Sequence, residues 1–179
     1  IAMNVARFDA IKHRALAVKC DAQRGMAQLS QLLGDWRSSD DWASTAKAQA
    51  DEWKAVVQRR TNPQEGDLLP GMSSYAEVIG KLNKSMQPGD TVLTAAGGLP
   101  AELAMNWQNY QIGKFDIEFG FSCMGYEIAG GWGAKVANPD NDVVVLVGDG
   151  SYLIQNSDIY SSVLTGHKMI VVVCDNGGF

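Results

Sequence analysis

Residues 143–179 read VVVLVGDGSYLIQNSDIYSSVLTGHKMIVVVCDNGGF, and this stretch decides the fold. Two unbroken apolar runs, Val143–Val147 and Met169–Cys174, each lead into a polar, glycine-containing turn: Gly148-Asp149-Gly150-Ser151 and Asp175-Asn176-Gly177-Gly178. β-Branched runs without polar alternation suit strands buried on both faces, as in a parallel sheet covered by helices. Tyr152 to Gly166 is long enough for one crossover helix, so the stretch predicts a β-α-β unit. In such units ligands gather at the carboxyl ends of the strands. Both turns fall at that edge, which should bring Asp149 and Asn176 together as hard oxygen ligands suited to Mg²⁺ beside a phosphate.

The 179 residues are 46% hydrophobic and 20% charged, a globular composition, with a formal charge of -5 that argues against a nucleic-acid surface. No apolar run is long enough for a membrane span, and the first residues lack the layout of a signal peptide. Cys20, Cys123 and Cys174 are far apart and set among apolar neighbours, which reads as buried free thiols of a cytoplasmic protein rather than a zinc site. The chain opens inside a strand-like run and closes one residue past a turn, as expected of an excerpt from a longer protein.

Working back toward the start, Ile1–Val5 and Ala15–Val18 are strand-like. Asp21 stands as the N-cap of a helix over 22–33, with Met26, Leu29, Leu32 and Leu33 at helical spacing and Gly34 as its stop. Residues 1–34 therefore read as the closing part of an α/β domain. Residues 35–72 form a largely helical linker carrying Trp36, Trp42 and Trp53; net acidic neighbours favour an aromatic stripe packed on a neighbouring domain over a base-stacking platform. A second α/β pattern fills 73–179. Ser74 and Glu77 are in capping-box register ahead of Val78, Ile79, Leu82 and Met86. A short strand at 90–94 then runs into Ala95-Ala96-Gly97-Gly98, where small residues let backbone N–H groups approach an anion. A further helix follows over 102–107 and a short strand over 116–119. Four glycines within Gly125–Ala134 allow that next helix a close approach to its neighbours, at a cost in helix propensity.

A dinucleotide fold wants G-x-G-x-x-G, but Gly148-Asp149-Gly150 puts an acid in the turn and no third glycine follows; a Walker A lysine is absent as well. An acid there makes sense with a divalent cation between carboxylate and phosphate. Gly-Asp-Gly with Asn176 twenty-seven positions after Asp149, a strand leading into each, resembles the diphosphate-binding motif of thiamin-diphosphate-dependent enzymes. The resemblance implies an α/β thiamin-diphosphate-binding fold, incomplete here: a parallel sheet with helices on both faces, preceded by the end of another α/β domain.

It also implies thiamin diphosphate and Mg²⁺ as cofactors, with Asp149, Asn176 and the backbone carbonyl of Gly178 holding the metal. Gly148, Gly150 and Ser151 would meet the diphosphate, Gly97 and Gly98 would form its first loop, and Ser122 and Met124 would hold the aminopyrimidine, Met124 wedging the cofactor into a bent form. The family often has Asn-Asn where this chain has Asp175-Asn176, a departure that spares the ligand position. Within the family, residues 118–130 with the two turns are similar to a branch that opens a cyclic dione by C–C hydrolysis in myo-inositol breakdown. Most decarboxylases and synthases of the family carry Leu-Pro where this chain has Glu127-Ile128.

The resemblance further implies a small cyclic dione as substrate, a homo-oligomeric parent enzyme, and an activating glutamate that is not among these residues. No catalytic residue is assigned, and the 179 residues alone are expected to be inactive. Another thiamin-diphosphate lyase or acetolactate-type synthase, and a non-catalytic fragment that keeps the fold, are the alternative readings. Glu127 reads either as a polar group near the site or as a helix-surface residue, and His167 as a surface residue at the opposite edge of the sheet.

Overall fold

The computed structural model describes residues 1–108 and 111–178; Phe179, which closes the last quoted motif, lies outside the described residues. The chain divides into two units, Ile1–Ala50 and Asp51–Phe179. In the first, β1 (Ala2–Asn4) and β2 (Ala17–Lys19) pair in parallel, joined through the short helix α1 (Phe8–Lys12). The helix α2 (Ala22–Leu33) starts where the sequence predicts. Asp21 has extended backbone, and its carboxylate accepts from Arg24 N–H at 3.1 Å, pairing one of the N–H groups that a helix start leaves free. Met26, Leu29, Leu32 and Leu33 are exposed, so the predicted apolar stripe of α2 is not covered within its unit.

The alanine-rich helix α3 (Asp40–Thr61) follows. Trp42 and Trp53 on it, and Trp36 before it, are exposed.

In the second unit, α4 (Tyr75–Ser85) opens on the predicted cap: Ser74 Oγ accepts from Glu77 N–H at 3.1 Å. There follow β3 (Thr91–Thr94), α5 (Leu99–Asn106), β4 (Phe115–Ile117), α6 (Tyr126–Ala137), β5 (Val143–Gly148), α7 (Asp149–Ile154), α8 (Ser157–Leu164) and β6 (Ile170–Cys174). The strands form one parallel sheet in the order β4-β3-β5-β6, with Leu93 opposite both Asp116 and Val145, and Val145 opposite Val171.

β5 organises the core, because its alternate side chains enter opposite layers. Val144 and Leu146 pack with Ile79 of α4 and Leu99 and Leu103 of α5, while Val143, Val145 and Val147 pack with Ile128 of α6 and with Tyr152 and Ile159. Each such burial contributes about 1.5–3 kcal/mol relative to exposure. Helices on both faces of a parallel sheet are the α/β architecture that the sequence predicts.

Two predicted features come out differently. The run Met169–Cys174 is expected to be buried on both faces, but β6, the outermost of the described strands, leaves Ile170 and Val173 with 37% and 42% of their surface exposed. The predicted single crossover helix is two helices, α7 and α8, separated at Gln155-Asn156. Among the described residues no helix is long and apolar enough to cross a membrane.

The amino ends of the strands are sewn together by side chains. Asp90 accepts from Asp142 N–H at 2.9 Å and from Gln87 N–H at 2.7 Å, and Lys135 donates to the carbonyls of Pro139 and Asn141. The carboxyl ends instead run into glycine-bearing loops.

Candidate functional site

Because β3, β5 and β6 are parallel, the loops that follow them emerge at one edge of the sheet. Those loops converge on a cleft of about 290 Å³ lined by Ala96, Gly97, Gly98 and Leu99 after β3, by Gly148, Asp149, Gly150 and Ser151 after β5, and by Asn176 and Gly178 after β6. Met124 and Tyr75 complete its lining. Of the residues singled out from sequence, Gly97, Gly98, Met124, Gly148, Asp149, Gly150, Ser151, Asn176 and Gly178 are therefore brought together. Ser122 does not line the cleft; it sits two residues away on an exposed loop, in the left-handed region at φ 52°. Larger cavities open beside Arg59, Arg60 and Glu102 (about 580 Å³) and beside Met72 and Val172 (about 680 Å³), but neither gathers the glycine loops.

The β5 loop is shorter than predicted. Asp149, Gly150 and Ser151 form the first turn of α7 rather than a free turn, so the Asp149 carboxylate stands at a helix start, where negative charge is favoured and N–H groups are unpaired. Across the cleft α5 begins with Gly98 as N-cap and Pro100 in its first turn. The last turn is held by its own side chains: Asp175 Oδ1 accepts from Gly177 N–H at 2.9 Å, and Asn176 Oδ1 from Gly178 N–H at 3.2 Å. The Asn176 amide also donates to Tyr75 Oη at 3.1 Å. Tyr75 had no signal in the sequence, because it lies 101 positions away in a helix cap region.

The Met124 segment is tied down by two glutamates. Glu118, directly after β4, accepts from Phe121 N–H at 2.8 Å and from Cys123 N–H at 2.7 Å. These bonds hold its carboxyl below the usual carboxylate range, since they favour the charged form. Tyr126 donates to Asp116 at 2.8 Å, and that bond pushes the phenol up to about 12. Gly125 adopts φ 93° with the Gln155 side chain against the space a Cβ would need, so only glycine fits there.

Glu127 overturns one of its two sequence readings. It is 0% exposed, not on the helix surface, and its oxygens accept from Ala96 N–H at 3.1 Å and Gly125 N–H at 2.9 Å. Cys123 is exposed, contrary to the buried-thiol expectation, whereas Cys174 is buried and its thiol pushed up by that burial. His167 precedes β6 at the amino edge of the sheet, 3.0 Å from Thr165 Oγ1, and does not line the cleft.

The cleft can admit a group of diphosphate type. A Cβ built on Gly97, Gly98, Gly148 or Gly178 would meet nothing within 4 Å, so these glycines leave room that the protein does not fill. Thr94 Oγ1, buried at the end of β3, has no hydrogen-bond partner among the described residues.

Residues 95–179 match the family described as thiamine pyrophosphate enzyme, C-terminal TPP binding domain. Over its full length the chain is similar to proteins named 3D-(3,5/4)-trihydroxycyclohexane-1,2-dione hydrolase. It is 32% identical to that of Geobacillus thermodenitrificans, covering 100% of this chain and 31% of the relative. It is 33% identical to that of Bacillus licheniformis (99% and 31%) and 30% identical to that of Clostridium tetani (100% and 31%). The chain thus spans about a third of the length of these curated relatives.

Proposed function

We propose, for a chain that carries a thiamine pyrophosphate enzyme's C-terminal binding domain in residues 95–179, that the cleft at the carboxyl edge of the sheet holds thiamin diphosphate with Mg²⁺. The observation that carries this reading is the convergence of Gly97-Gly98, the 148–151 turn, Asn176 and Gly178 on one cleft. The Asp149 carboxylate, the Asn176 amide oxygen and the Gly178 carbonyl offer hard oxygen donors for Mg²⁺. Gly148, Gly150 and Ser151 supply N–H and hydroxyl donors to the diphosphate at the start of α7, Gly97 and Gly98 line the opposite wall, and Met124 receives the aminopyrimidine end.

When bound, thiamin diphosphate supplies the nucleophilic and electron-accepting centre for C–C cleavage. This chain's part is to bind and orient it, and to hold its negative charge against a metal and helix starts.

The full-length enzyme, by the same reading, is a cytoplasmic homo-oligomer that opens the ring of trihydroxycyclohexane-1,2-dione by C–C hydrolysis. The names of the similar proteins support that substrate, and Glu127-Ile128 favours it over decarboxylases and synthases of the family. Residues 1–34 then close a middle domain, 35–72 link it, and 73–179 open the diphosphate domain.

Calorimetry on the full-length protein tests the site. Asp149→Ala is expected to abolish Mg²⁺-dependent binding of thiamin diphosphate, and unchanged affinity would sink the assignment. Turnover of the cyclic dione against pyruvate separates the hydrolase from an acetolactate-type synthase.

A further inference from the structure

We infer that Glu127 is the positioning residue of the cleft: its buried carboxylate spans from the Gly97 loop to the Met124 loop and sets the spacing of two walls that the cofactor must touch at once. The inference rests on the cofactor reading above and deepens it. Burying a carboxylate is costly unless its oxygens are hydrogen-bonded. Here each oxygen takes one backbone N–H, Oε1 that of Ala96 and Oε2 that of Gly125. Ala96 lines the cleft and precedes Gly97; Gly125 follows Met124. Glu127 lies in the first turn of α6, where the helix start favours its charge.

A simple helix cap would need only the Gly125 bond. The Ala96 bond reaches thirty-one positions along the chain to a different strand's loop. The residue type follows from that task. Glutamine offers one acceptor and one donor, so an amide N–H would face a backbone N–H. Aspartate keeps both acceptors but falls one methylene short, and leucine would leave two buried N–H groups unpaired. Gly125 turns at a φ of 93°, which glycine adopts readily, with the Gln155 side chain beside it and Met124 directly before it. Ala96 is therefore held relative to Met124 by one side chain.

The test compares wild-type full-length enzyme with Glu127→Gln and Glu127→Asp. Hydrogen exchange is followed by mass spectrometry on peptides spanning 94–98 and 122–126 without cofactor, and thiamin diphosphate affinity with Mg²⁺ is measured by calorimetry. For Glu127→Gln the expected result is exchange about tenfold faster in both peptides together and affinity weaker by about tenfold, as the loss of a charge-assisted bond implies. Its circular dichroism should match the wild type, and saturating cofactor should return both peptides toward protection. Unchanged affinity overturns the inference, and so does faster exchange in 122–126 alone, which would make Glu127 a cap and nothing more. Should Glu127→Gln fail to fold, wild-type affinity in Glu127→Asp overturns it equally. A wild-type enzyme that takes up no thiamin diphosphate would count against the cofactor reading, while the paired exchange still decides whether Glu127 couples the two loops.

Discussion

Glu118 holds its loop with both carboxylate oxygens, one on Phe121 N–H and the other on Cys123 N–H, and this loop carries Ser122 toward Met124. Because those bonds favour the charged form, the folded-state pKa lies below the ordinary value of 4.5. The stabilisation is therefore complete above about pH 4.5 and is lost as pH falls through the lower folded-state value. Amide protection factors at Phe121 and Cys123, followed by nuclear magnetic resonance, should show that acid step in the wild type. Glu118→Gln should lack the step and show weaker protection above it, and a persisting step would assign it to another group. Nine residues on, Glu127 also bridges two N–H groups, but out of water. Chain order shows two glutamates flanking a methionine; nothing in it tells which is half-buried and which fully buried.

At the scale of elements, the glycines of α6 divide into two kinds. A Cβ on Gly131 would strike the Val145 side chain of β5, whereas one on Gly133 would meet nothing within 4 Å. The close approach suspected from sequence thus serves the helix's packing on its own sheet. Gly131→Ala should destabilise by about 1–3 kcal/mol through overpacking. Gly133→Ala should stabilise by roughly 0.5–1 kcal/mol through helix propensity. Denaturant midpoints of the two variants in the full-length enzyme check the pair, and equal midpoints would contradict the packing.

The elements themselves were largely legible. The caps at Asp21 and Ser74 and the apolar runs behind β3 and β5 are local signals read within a few residues. The break between α7 and α8 was not. Its physical context is the Gln155 side chain lying against Gly125, a contact thirty residues away in sequence. The half-exposure of β6 was also hidden, since Val171–Val173 look as apolar as Val143–Val145 and only strand order places one run outermost among the described strands.

For the whole molecule, the cleft is notable for how few titratable side chains line it. Among the described residues lining the cleft, Asp149 and Tyr75 alone carry titratable side chains, and the proposed metal site engages Asp149. These lining residues thus offer few groups to move protons. The 179-residue chain alone, with thiamin diphosphate and Mg²⁺ added, is expected to give no ring opening of the cyclic dione. Detectable product by chromatography would refute that.

By itself the sequence determined the strands, the helix caps, the parallel β-α-β logic and the loops that meet at one edge. These follow from side-chain periodicity and from capping and turn chemistry, which act over a few residues. Only the tertiary structure decided that Glu127 is buried between two loops, that Tyr75 meets Asn176, that Gly131 seats α6 on Val145, and that β6 is outermost among the described strands. Each of these depends on atoms far apart along the chain, whose proximity exists only once the sheet order has placed them.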